Sequence, residues 1–189
     1  MKYFTPELIA RGQVNDHDLL DRHEEEWDRV CASYEAYLKT VAADMPPGLK
    51  HIEESYYLHD ASVLSIGRRG KAFVLVLQLD TPPRSILTFT YDLLGEPVVK
   101  EDALPPVARM KCDPPLWLYN EVERVEGKPG GWREDLLLSN GWEVALHFRD
   151  VKVEEFEAIL PVTGNGRARQ PALVPTSSGD AHAPDHDDR

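Results

Sequence analysis

Residues 136–148 constrain the chain most. Leu136-Leu137-Leu138-Ser139 runs into Asn140-Gly141, and Trp142 to Phe148 follows. Asn-Gly supplies the positive φ angles that a two-residue type I′ turn needs, so the segment predicts a β-hairpin. In its second arm Trp142, Val144, Leu146 and Phe148 share one face, while Glu143, Ala145, His147 and Arg149 share the other. A strand with one packed and one wet face belongs to an antiparallel sheet.

The same period of two appears upstream. Leu58 to Ile66 reads as a strand, and Arg68-Arg69-Gly70-Lys71 is a hairpin-length turn. Ala72 to Leu79 is short and β-branched, which predicts a strand with unequally buried faces. Asp80-Thr81-Pro82-Pro83-Arg84 is a turn, and Ile86 to Leu93 alternates again. A proline-rich loop spans Gly95 to Pro115, and Leu116 to Val125 predicts a further strand.

Before residue 58 the period is helical. Thr5 suits an N-cap, Pro6 the first helical position and Glu7 the first turn, so a short helix runs to about Gly12. A second helix starts at Asn15 or Asp16. Its apolar stripe holds Leu20, Trp27, Cys31, Tyr34, Leu38, Val41 and Met45, and Pro46-Pro47-Gly48 stops it. A short helical turn follows through Leu49 and Ile52. Helices followed by strands predict an α+β class. The expected architecture is one short and one long amphipathic helix packed on an antiparallel meander of about six strands. Trp27, Tyr34, Leu38 and Val41 should face the sheet. Residues 1–57 form the helical element and 58–161 the sheet of the same domain. Residues 162–189 hold few large apolar side chains, which predicts a disordered tail.

The 189 residues carry a net charge of −12, and residues 1–60 alone carry −7. Nucleic acids and anionic lipid surfaces are bound through clustered Lys and Arg, so neither is an expected partner. Cys31 and Cys112 are too few and too isolated for a disulfide scaffold and fit a reducing compartment. The first residues lack a signal-peptide apolar region, and no run approaches the roughly 18 apolar residues of a membrane span. The expected location is the cytoplasm.

Three segments resemble those of an uncharacterised bacterial family, a domain of unknown function. They are Met1-Lys2-Tyr3-Phe4-Thr5-Pro6-Glu7-Leu8, Leu58-His59-Asp60-Ala61-Ser62-Val63-Leu64 and Leu138-Ser139-Asn140-Gly141-Trp142-Glu143-Val144. The resemblance covers about residues 1–155 and implies a bacterial cytoplasmic protein with no assigned chemistry. The His-Asp-Ala step entering a hairpin, with the strands from Leu58 to Asp92, is also similar to some β-rich immunity proteins of bacterial toxin systems.

His59-Asp60 is the candidate for chemistry, because a carboxylate can orient a histidine for proton transfer. Neighbours on a strand point to opposite faces, so the two meet only if a bulge or turn intervenes. The structural alternative is a junction in which Asp60 accepts backbone hydrogen bonds and His59 closes the sheet edge. No metal or cofactor is expected. His17 and His23 diverge by about 240° on a helix. His182 and His186 flank Pro184, and two distant cysteines do not make a zinc site. Gly127-Lys128-Pro129-Gly130-Gly131 lacks the Walker spacing. Candidate binding residues are the aromatics Tyr56, Tyr57, Trp117 and Tyr119, with Glu121 and Glu123. The last four are expected on one strand face, where an aromatic-plus-acid strip could hold a sugar or a cationic partner.

The leading functional expectation is a non-enzymatic, acidic protein-interaction module for a basic protein, with toxin neutralisation as one version. The alternative is an enzyme or small-molecule binder with a pocket between helix and sheet near His59 and Asp60. A third is an accessory domain with no ligand.

Overall fold

A computed structural model of the chain describes residues 1–13, 17–125, 127 and 130–158. The helix start at Asn15 or Asp16, the His17 side chain and the tail 162–189 with His182 and His186 lie outside the described residues. Among the described residues three α-helices, α1 (Pro6–Arg11), α2 (His17–Val41) and α3 (Pro47–Ser55), precede seven strands. These are β1 (Ser62–Arg69), β2 (Ala72–Gln78), β3 (Ile86–Leu93), β4 (Val98–Lys100), β5 (Trp117–Arg124), β6 (Trp132–Leu138) and β7 (Glu143–Phe156). The class is α+β, with the helices packed on an antiparallel, curled sheet.

The helix ends follow local rules. Thr5 caps α1 by accepting the Leu8 N–H at 3.2 Å, and Pro6 takes the first position. Pro46 and Pro47 end the α2 region and also open α3, which runs for nine residues rather than one turn. Gly48 packs where nothing larger fits. A Cβ there would meet the Val151 carbonyl oxygen at 1.6 Å, and the Gly48 N–H donates to Asp150 Oδ1. α3 thereby sits hard against β7 and inserts Leu49 and Ile52 into the main core.

The sheet order is β1-β2-β3-β7-β6-β5, with β4 also on β7. Two three-stranded meanders are thus joined through β3 and β7, and the connection between them is residues 94–116. The two outer strands meet at one end. Ser62 bridges Leu116, the Asp60 N–H donates to the Trp117 carbonyl, and the Val63 N–H donates to the Pro115 carbonyl. The curl encloses Phe73, Leu75, Leu77, Leu87, Phe89, Tyr91, Trp117, Trp132, Leu146 and Phe148. A second apolar layer lies on the outer face of β5 and β6. There Phe4, Ile9 and Tyr34 pack with Leu104, Leu118 and Leu137.

Four local expectations are corrected. The β6–β7 loop has three residues, not two. The Gly141 N–H donates to the Leu138 carbonyl and the Leu138 N–H to the Trp142 carbonyl, and only Gly141, not Asn140, has positive φ (+93°). The extra loop residue leaves Trp142 exposed instead of packed with Val144. The segment from Leu58 to Ala61 is a turn, and β1 starts at Ser62. The proline-rich loop contains β4, whose three exposed residues give no alternation to read. On β5, a register shift between Trp117 and Tyr119 turns Leu118 and Tyr119 to the outer layer while Trp117 stays in the core. Trp117 therefore does not share a face with Tyr119, Glu121 and Glu123.

Candidate functional site

The β1–β5 junction and helix α2 together make the most site-like region. Asp60 has φ +68°, a left-handed conformation that Asp tolerates better than most residues. That turn folds the Asp60 side chain back to its neighbour, and His59 Nδ1 lies 3.2 Å from Asp60 Oδ2. The condition for contact between these adjacent residues is therefore met. The His59 ring stands edge-on to Tyr119, with centroids 5.0 Å apart, and Tyr57 lies beyond it at 6.1 Å.

The aromatic row continues onto α2. Tyr119 meets Trp27 at 5.0 Å, and Trp27 meets His23 at 6.0 Å. Phe4 backs both rings at 5.4–5.5 Å. His23, Trp27 and Cys31 follow one another at i, i+4 and i+8, so α2 presents them as one stripe. Beside the stripe is an open groove of about 390 Å³, lined by Ile9, Gly12, His23, Glu24, Trp27, Asp28 and Tyr119. Trp27 lines this groove half-buried, packed against the outer apolar layer and facing β5 through Tyr119.

The electrostatics of the groove are negative. Burial pushes the Tyr119 hydroxyl above its ordinary range, and Tyr57, Asp60 and Cys31 add to the shift. Burial and then Asp28 push the Cys31 thiol up as well. A thiol in that state is held in its protonated form, which is the less nucleophilic one.

The remaining sequence candidates are separated from this cluster. Glu121 is buried and accepts the backbone N–H groups of Lys2, Tyr3 and Phe4, the first two at 2.6 and 2.7 Å. It is the anchor of the N-terminal segment rather than a ligand contact. Glu123 pairs with Lys2 at 3.3 Å. The Tyr56 hydroxyl donates to Glu155 on β7, on the α3 side of the sheet. The Trp117 indole is inside the curl, where its N–H donates to Asn120 Oδ1.

Trp27, His23, Glu24 and Asp28 belong to the cluster but were not among the candidates. Their helical spacing was legible, but the strand they face was not. A second polar group was equally hidden. Asn120 donates to Glu134 Oε1 at 3.2 Å inside the curl, with the Tyr91 hydroxyl against the same carboxyl. Burial pushes the Glu134 carboxyl up to about 8, and the nearby Glu53 of α3 adds to it, against the pull of Tyr91.

Among the described residues no helix is long and apolar enough to cross a membrane, and no group of three or more His, Cys, Asp or Glu is placed to hold a metal ion. No family model matches the chain, and neither the curated proteins nor the solved structures compared with it include a significant match.

Proposed function

We propose that the chain is a non-enzymatic, acidic protein-interaction module that binds a basic segment of a partner protein. A Lys or Arg side chain of that segment enters the groove between α2 and β5. The observation that carries this reading is the row Trp27–Tyr119–His59 with Glu24, Asp28 and Asp60 beside it. Aromatic faces attract cations, by about 0.5–2 kcal/mol each. Surrounding carboxylates add steering and disfavour anionic partners, nucleic acid included. The net charge of −12 acts in the same direction at long range. Within this reading the chain is bacterial, as its three resembling segments imply, and neutralising a basic toxin is one version of it.

The test is a calorimetric titration with a short Lys- and Arg-rich peptide and with an acidic peptide of equal length. The basic peptide should bind and the acidic one should not. The exposed pair Glu24→Gln/Asp28→Asn should weaken binding about tenfold. Equal binding of both peptides, or no effect of the pair, contradicts the reading.

One observation favours a second reading, an enzyme or small-molecule binder. His59 Nδ1 lies 3.2 Å from Asp60 Oδ2, next to the Tyr119 ring that lines the groove, so the carboxylate is placed to orient the imidazole as a base. A metabolite that stabilises the wild-type protein thermally, but not a His59→Ala variant, would favour this reading over the first.

A further inference from the structure

We propose that strand β4 is a dimerisation edge, and that its occupant is β4 of a second copy of this chain, paired antiparallel about a two-fold axis at Val98. Among the described residues β4 pairs only with β7, through Val98–Ala145, Val99–Val144 and Lys100–Glu143. Its other edge carries unpaired backbone groups, a template for another strand. The surroundings are apolar. Among the described residues, six of the nine exposed large hydrophobics lie on β4 or near it. They are Leu94, Val98, Val99, Val107, Met110 and Trp142, with Val98 64% exposed. Backbone hydrogen bonds tie their segments together. The Ala103 N–H donates to Gly141, and the Met110 N–H donates to Ser139, so the segment wraps the β6–β7 hairpin tip beside Trp142.

The local sequence is self-complementary in charge. Around Val98 it reads Glu96-Pro97-Val98-Val99-Lys100. A two-fold at Val98 sets Lys100 of each copy opposite Glu96 of the other, twice per interface. Lys100 has no ion-pair partner among the described residues, so the second copy supplies one. Glu96 pairs with Arg68 and remains largely exposed on the outer side. An isologous pair of this kind closes on itself and stops at two copies.

Charge exchange tests the register as well as the surface. Analytical ultracentrifugation at about 0.15 M salt, where distant charges are screened, should find the wild-type full chain dimeric. Glu96→Lys makes both cross-pairs Lys–Lys, and Lys100→Glu makes both Glu–Glu. Each variant alone should weaken the dimer about tenfold or more. Mixed in equal amounts, the two variants place Lys against Glu at both positions and should dimerise as well as the wild type. Both sites are exposed, and circular dichroism verifies that each variant is folded. A monomeric wild type overturns the proposal. So does dimerisation of both variants alone, which moves the interface elsewhere, or a mixture that stays monomeric.

Discussion

Glu134 is 1% exposed, and its carboxyl shares the interior of the curl with Asn120, Tyr91 and Glu53. In the folded chain it keeps its proton to about pH 8, whereas the ordinary value is 4.5. The folded state therefore binds one more proton between those limits. Its stabilisation is complete below about pH 4.5 and declines as pH rises through about 8. Glu53, also pushed up by burial, contributes with the same sign, and Asp135 raises Glu134 slightly further. Glu134→Gln keeps the shape and the acceptor for Asn120 but cannot ionise. Urea unfolding from pH 5 to 9 should show the variant losing a few kcal/mol less than the wild type over that range. Equal pH slopes would contradict this assignment. Alternation could place Glu134 on the inner face only once the ends of β6 were known, and the hairpin signal marked just its last residues. Glu121 was illegible in its role for a different reason. It accepts hydrogen bonds from backbone groups more than a hundred residues away, and backbone groups leave no mark in a sequence.

Helix α2 does two jobs along its length. Its first half forms the groove wall, and its second half covers the outer strand of the sheet. The Tyr34 hydroxyl accepts the Val122 N–H at 2.7 Å, and the Tyr37 hydroxyl accepts the Arg124 N–H at 2.8 Å. These bonds satisfy the edge of β5 where no strand among the described residues pairs with it, and they shield it from foreign strands. Tyr34→Phe/Tyr37→Phe keeps both rings and removes both acceptors. It should cost about 2–4 kcal/mol in denaturant unfolding, mostly from the buried Val122 N–H. A cost under about 1 kcal/mol would mean that water replaces the hydroxyls. At this scale the sequence was most informative. The short capped helix, the long stripe, and strands β2 and β3 all carried their own periods. β4 did not, because three exposed residues in a proline-rich stretch have no period. The Asn-Gly pair marked the right hairpin, but in it only the glycine is left-handed, so the loop is one residue longer than the type I′ turn.

The whole molecule is organised by how the sheet closes. Joining two meanders through β3 and β7 brings the start of β5 beside the start of β1, and that junction creates the site. It sets His59 and Asp60 against Tyr119, and α2 crosses the same strand with Trp27. Neither the strand order nor the register shift on β5 could be read from alternation, which assigns faces within a strand but not neighbours between strands. Of the half of the site carried by α2, the apolar stripe marks only Trp27, as a residue that faces the sheet. The four tryptophans now occupy three distinct settings. Trp27 lines the groove, Trp117 and Trp132 are inside the curl, and Trp142 is at the hairpin tip. Their indole N–H signals in a nitrogen-15 NMR spectrum report directly on where a basic segment binds. During titration with a Lys- and Arg-rich peptide, the Trp27 signal should shift progressively and saturate, while those of Trp117, Trp132 and Trp142 stay in place. A spectrum in which Trp27 does not move, or in which Trp142 moves instead, would contradict the groove as the docking site.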